Sequence, residues 1–291
     1  MKIGISGQLL GNDRSLEEIL RLLKKYCVEN IEIWPCNISG ETEGAKLCDD
    51  TYEGRDTAKA KRLLDSYGIK TCCVTMPAAY NPEISGDPNK YTAELIRAIK
   101  IAKEFGANLV NHYCYGICMD ERPNLQRIKE YLLPALKTAE DEGVTLCLEN
   151  EAHDATRAPE GMLEILEGFN SRYFMTNFDA TNYCHASQEG FPYAYEVLKK
   201  YIAYVHIKNG CVYSIYGEHN PESKGAAMSG HYAPNAIYYP YAGDGAVNID
   251  GLLRRLKHDG YDGYCVLEPH TAPKFAEDYY ENDLEYLKRR I

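Results

Sequence analysis

Short apolar runs alternate with amphipathic stretches along the whole chain. Runs of strand length fall at 2–6, 31–34, 69–75, 107–113, 144–149, 173–179, 203–208 and 264–268. Most are apolar at successive positions, as strands covered on both faces are. Between them the period changes. Leu16, Ile19, Leu20, Leu23 and Cys27 recur at helical spacing, and Ser15 with Glu18 forms a capping-box start. The same reading predicts helices at 56–67, 90–105, 124–142, 159–169, 192–201, 249–259 and 276–290. Gly68, Gly106 and Gly143 stand where three of them end. Pro134 predicts a kink or break in the fourth. The polar stretch 36–55 is too long for a simple connector, so it is expected to border a site or carry a short extra helix. The longest irregular stretch, 209–248, contains Tyr213, Tyr216, Tyr232, Tyr238, Tyr239 and Tyr241.

Eight strand–helix alternations without a linker predict parallel strands joined by right-handed crossovers. The expected fold class is α/β, a single (β/α)8 TIM barrel spanning 1–291 as one domain. An open doubly wound sheet is the alternative. The count of eight and the lack of a Gly-rich phosphate fingerprint after the first strand favour the barrel.

Composition narrows the setting. Hydrophobic residues make up 45% of the chain, enough for an ordinary soluble core. The formal net charge of −11 argues against nucleic acid, which needs a basic surface to displace counterions. No apolar run approaches the roughly 20 residues a membrane helix needs. Eleven cysteines, an odd count, and a start that does not read as a secretory leader predict a reduced, cytoplasmic setting. The 25 tyrosines combine apolar bodies with polar tips, and many fall late in the chain.

Four strand-like runs end on metal-ligand chemistry. The fifth delivers Glu149, the sixth Asp179, the seventh His206 and the eighth Glu268. In a barrel these ends share one mouth. Three carboxylates brought together need a compensating cation, and three carboxylate oxygens with one imidazole suit Mn²⁺, Mg²⁺ or Co²⁺. Unrelated acids in separate salt bridges are the plainer reading. Lys208, two after His206, would share its face and meet substrate or a salt-bridge partner. His270 would contact substrate or orient Glu268, and His153 is either functional or merely exposed. His112 would touch substrate or be a buried structural histidine. Trp34 is either core or a wall of the site, and the Tyr-rich stretch either a lid, a dimer contact or a packed surface loop.

The motifs Leu148-Glu149-Asn150, Phe178-Asp179-Ala180-Thr181-Asn182, Val205-His206-Ile207-Lys208, Gly243-Asp244-Gly245 and Gly260-Tyr261-Asp262-Gly263-Tyr264, leading into Leu267-Glu268-Pro269-His270, carry a resemblance. In this order the chain resembles the sugar phosphate isomerase/epimerase family with a xylose isomerase-like barrel, whose superfamily also contains endonuclease IV. The resemblance implies one divalent metal on Glu149, Asp179, His206 and Glu268, Mn²⁺ first, with Mg²⁺, Co²⁺ or Zn²⁺ also compatible. It implies Glu149 and Glu268 as the acid/base pair of an isomerase or epimerase that abstracts an α-proton from a sugar or polyol through a metal-stabilised enediolate. Asn182 stands where the best-known ketose epimerases carry His, and would contact a sugar hydroxyl. Asn209 stands where Asp is commoner. The alternatives are a dehydratase or lyase on a keto-sugar or inosose, including C-glycoside cleavage. A phosphodiester hydrolase or a non-catalytic sugar binder would follow at a distance. A homo-oligomer is compatible with the resemblance.

Overall fold

The computed structural model describes residues 1–11, 13–42, 44, 46–214, 227–229 and 235–291. Eight parallel strands close into a barrel: β1 Lys2–Ser6, β2 Asn30–Ile33, β3 Lys70–Met76, β4 Leu109–His112, β5 Thr145–Glu149, β6 Phe174–Asp179, β7 Ile202–Ile207 and, last in the chain, Tyr264–Leu267. The last strand pairs with both β1 and β7, which closes the ring. The expected (β/α)8 barrel is therefore the fold.

The helices form for local reasons the sequence displays. Ser15 and Glu18 make the reciprocal capping box that starts Leu16–Lys25. Asp56 caps Thr57–Tyr67, and Gly68 ends it in the left-handed region at φ 61°. Leu125–Glu142 runs unbroken through Pro134. The expected break does not occur, because Tyr131, Leu132, Ala135 and Leu136 on either side of Pro134 are all buried and hold the helix to its neighbours.

Two cores result. Leucine, isoleucine and aromatic side chains fill the layer between strands and helices. Inside the barrel a smaller cluster of Cys72, Cys73, Leu109, Cys147, Tyr204 and Val266 supports the mouth from below. Tyr204 packs edge-on beneath His206, with ring centroids 5.4 Å apart. All eleven cysteines are free thiols. Among the described residues no helix is long and apolar enough to cross a membrane.

Three expectations fail locally. Helix 192–201 is reduced to a distorted turn at Gly190–Ala194 and one short helix, Tyr195–Leu198. An additional helix, Ala180–His185, follows β6 directly. The stretch read as irregular carries three short strands, β8 Cys211–Ser214, β9 Ala227–Ser229 and β10 Asn235–Tyr238, paired antiparallel in the order β8-β10-β9. Tyr216 and Tyr232 lie outside the described residues. In chain order the closing barrel strand Tyr264–Leu267 is β11.

His112 is corrected by strand parity. On β4, Asn111 takes the inward position and hydrogen-bonds Glu149, so His112 must face the other side. There it packs on Phe174 at 5.8 Å between centroids, and Phe174 stacks on Phe169 of the helix Pro159–Phe169. It does not line the cavity described below. Neither ring nitrogen has a hydrogen-bond partner, and burial pushes the pKa down to about 3. Below its unfolded value near 6.5 the unfolded chain gains a proton the native imidazole refuses. Stability should therefore fall as pH drops, by up to about 1.4 kcal/mol per pH unit from this group. Urea unfolding of wild type and His112→Leu between about pH 6.5 and 4 should show a shallower loss in the variant; parallel curves would refute the assignment.

Candidate active site

The four strand-end residues meet. One ligand atom each from Glu149, Asp179, His206 and Glu268 lies within 4.8 Å of the others, all buried. Register explains two of them, since Asp179 of β6 pairs with His206 of β7. Glu149 ends β5, and Glu268 sits one residue beyond β11, its N–H bonded to Ile207 O at 3.1 Å.

Each of the four side chains is held by neighbours. Asn111 Nδ2 donates to Glu149 Oε2 at 2.8 Å, and Asn177 Nδ2 donates to Asn111 Oδ1 at 3.2 Å. Asp179 Oδ1 accepts the backbone N–H groups of Thr181 and Asn182 at 2.8 and 3.0 Å, capping the short helix that follows. Its Oδ2 makes no hydrogen bond and has Lys208 Nζ at 2.7 Å. Lys208 also donates to Glu268 Oε2 at 2.6 Å, so its ammonium bridges two of the four groups.

His206 is gripped on both edges. Nδ1 faces Glu149 Oε1 at 3.1 Å and Glu268 Oε2 at 3.3 Å. Nε2 faces both oxygens of Glu32, at 3.2 and 3.1 Å. Glu32 is fully buried and also accepts the Thr75 hydroxyl. Glu32 accepting Nε2–H leaves Nδ1 as the nitrogen that faces the cluster, and with a cation bound it would be the ligating atom.

Electrostatics follow from four buried carboxylates facing one lysine and one histidine. Burial disfavours charge on His206, but Glu149, Glu268 and Glu32 outweigh it and hold the imidazole well above its ordinary value. Burial likewise opposes charge on Lys208, and Asp179, Glu268 and Glu149 outweigh it. Glu149 is raised, first by burial, whereas Glu268 is lowered because His206 and Lys208 overcome its desolvation. An excess of buried carboxylates over the one lysine and one histidine that face them, in an O₃N donor set, fits a divalent cation.

The cluster opens into a cavity of about 380 Å³, within the range of small-molecule sites. Lys208, Asn182, His153, His270 and Trp34 all line it, together with Glu149 and Glu268. Lys208 is in the salt bridge just described. Asn182 Nδ2 donates to Asn150 O at 2.9 Å and to Glu149 Oε1 at 3.4 Å. His270 Nε2 lies 3.5 Å from Glu268 Oε2 and its ring packs on Tyr239. Trp34 serves both as core and as wall, buried with its Nε1–H on Ser6 Oγ at 2.9 Å. The stretch 36–55 borders the cavity through Cys36, Asp49 and Asp50.

Glu32, Asn111, Asn177 and Glu151 escape a reading that looks only for ligands at strand ends. Their signal is a polar residue inside or just past an apolar strand, at the parity that faces the barrel axis. Asn209 proves structural. Its amide donates to Ala242 O and Val247 O at 2.8 and 3.0 Å, while its carbonyl accepts Gly210 N and Val247 N. A carboxylate could not make both donations. Gly245 lies so close that a Cβ there would meet the Asn209 side chain at 2.2 Å.

A family model described as xylose isomerase-like TIM barrel matches residues 20–290. No curated protein matches the chain. Among solved structures, D-allulose 3-epimerase from Methylomonas sp. in complex with D-allulose superposes with a TM-score of 0.70 at 17% identity, covering 100% of this chain and 97% of that one. The probable 3-DHS dehydratase AsbF from Bacillus anthracis gives 0.70 at 15% identity, covering 100% of both chains. The IOLI protein with a bound zinc atom gives 0.70 at 17% identity, covering 100% of this chain and 99% of that one.

Proposed function

The chain belongs to the xylose isomerase-like TIM-barrel family, and on that premise we propose that it is a divalent-metal-dependent isomerase or epimerase of sugars or polyols. The observation that carries this reading is the convergence of Glu149, Asp179, His206 and Glu268, of which Glu149 and Glu268 line the cavity. These four residues would hold the cation, with Mn²⁺ the ion best suited to the donor set. Bound there, the cation would supply Lewis-acid polarisation of a carbonyl and stabilisation of the negative charge left when an α-proton departs. Glu149 and Glu268 take the roles of base and acid, one removing the proton and the other returning one. Lys208 and Asn182 hold substrate hydroxyls, and the cavity walls exclude water.

The substrate is uncharged. Lys208 is the sole lysine or arginine among the described residues lining the cavity, and it is already paired with two carboxylates. Asp50 adds negative charge to the walls, while Asp49 is paired with the Arg55 guanidinium at 3.0 Å and burial raises the Glu151 carboxyl well above its ordinary value. A phosphorylated sugar would find no guanidinium among the described residues lining the cavity to hold its phosphate.

Incubating the Mn²⁺-loaded protein in D₂O with ketoses, inososes and 3-keto-glycosides tests the reaction class. Deuterium should enter next to a carbonyl, and the product then separates epimerase from isomerase. Loss of water instead of proton return would select the dehydratase alternative, which the likeness to the 3-DHS dehydratase keeps in view. Absence of exchange across the panel with metal bound would overturn the proposal.

The cation should also stabilise the fold. At 100 times its dissociation constant, a ligand adds about 2.7 kcal/mol, roughly 5–10 °C in Tm for a chain of this size. Scanning calorimetry with Mn²⁺ and after chelation checks this, and an unchanged Tm at saturating Mn²⁺ would count against the site.

A further inference from the structure

The helix Ala180–His185 exists because Asp179 caps it, so its geometry is tied to the cluster. Asn182 and His185 are three residues apart and share one helical face. Both line the cavity. Asn182 reaches back to Glu149 and Asn150, leaving His185 about one turn, ~5 Å, farther along the helix. His185 is only 3% exposed, and its Nε2 has no hydrogen-bond partner. The ring is fixed edge-to-face against His153, with centroids 4.9 Å apart.

A buried ring nitrogen without a partner is costly. His185 lines the cavity, so a ligand hydroxyl seated there, met by a small turn of the ring, satisfies it. We propose that His185, beside His153 and Asn182, forms a second hydroxyl-binding subsite, which hydrogen-bonds a substrate hydroxyl one or more carbons away from the reacting centre. Burial first, then the neighbouring His153, Lys208 and His270, push the His185 pKa down to about 4, so its imidazole is neutral at working pH. A neutral imidazole has one donor and one acceptor nitrogen, and a hydroxyl can complement either. The subsite therefore selects polyhydroxylated, uncharged ligands by the position of a hydroxyl. This rests on the functional reading above and specifies its substrate selectivity.

The test is calorimetric binding to the Mn²⁺-loaded protein of D-allulose, D-fructose and D-sorbitol, followed by mono-deoxy analogues of the tightest binder. In His185→Ala the parent sugar should lose about 10-fold in Kd, the worth of one hydrogen bond. One deoxy analogue should bind wild type and variant equally, because the hydroxyl that His185 would meet is gone. His185→Gln should recover much of the affinity. In the D₂O assay the variant should raise KM with little change in kcat.

If the parent sugar binds wild type and His185→Ala alike, the subsite is wrong while the functional reading stands. If all analogues weaken equally in the variant, His185 acts through the fold, and the subsite is again wrong. If wild type loads Mn²⁺ yet binds none of the sugars, the subsite is wrong, and the functional reading stands or falls separately on the exchange assay.

Discussion

Glu268→Gln should reduce solvent-deuterium incorporation by about three orders of magnitude, the middle of the range for losing a positioned general base. The substitution keeps size and an oxygen for coordination, but removes the charge and the proton-accepting capacity. Glu268 Oε2 sits 2.6 Å from Lys208 Nζ and 3.3 Å from His206 Nδ1, so its carboxylate is oriented from two sides. A loss of metal could mimic a loss of base, and Asp179→Asn separates the two. Asp179 is a ligand without a proton-transfer role in this reading. Its variant should lose Mn²⁺ affinity and recover exchange when Mn²⁺ is raised. Glu268→Gln should remain inactive at Mn²⁺ concentrations where paramagnetic resonance shows the ion bound. Retention of exchange within about 10-fold of wild type would remove Glu268 from the acid/base pair.

The barrel was legible because its strands are short apolar runs and its helices carry explicit caps, as at Ser15, Asp56 and Gly68. The clustering of Glu149, Asp179, His206 and Glu268 was legible because each ends such a run, where a charge without a partner would be unreasonable. What stayed hidden was decided by parity and by non-local contacts. For His112 the sequence leaves substrate contact and a buried structural histidine both open, and one residue of register decides it, sending His112 to the helix layer and giving the inward place to Asn111. The helix Ala180–His185 has only six residues, too few for a period to show, and depends on a cap supplied by a metal-site residue. The strands Cys211–Ser214, Ala227–Ser229 and Asn235–Tyr238 are each four residues or fewer, within the noise of any pattern. Pro134 was read by its local rule, which buried neighbours on both sides overrode.

Glu32→Gln should weaken Mn²⁺ binding by about 10- to 100-fold without touching the ion, the usual cost of removing the partner of a ligating histidine. Glu32 lies on β2, across the ring from the carboxylates, and holds His206 through Nε2 while Thr75 donates to it from β3. An anionic acceptor makes the imidazole a stronger donor through Nδ1 and fixes its plane. A glutamine can still accept the N–H bond, but without charge, and its amide can rotate to present a donor. A structural role is separable by the chelated protein. Glu32 and His206 form a buried pair, and removing one partner costs stability on its own, so the chelated variant gives the baseline Tm against which the metal-dependent gain is read. The metal-dependent gain in Tm should shrink in parallel with the loss of affinity. A Kd for Mn²⁺ within about 3-fold of wild type would show that ring orientation is set elsewhere, with packing on Tyr204 the remaining support.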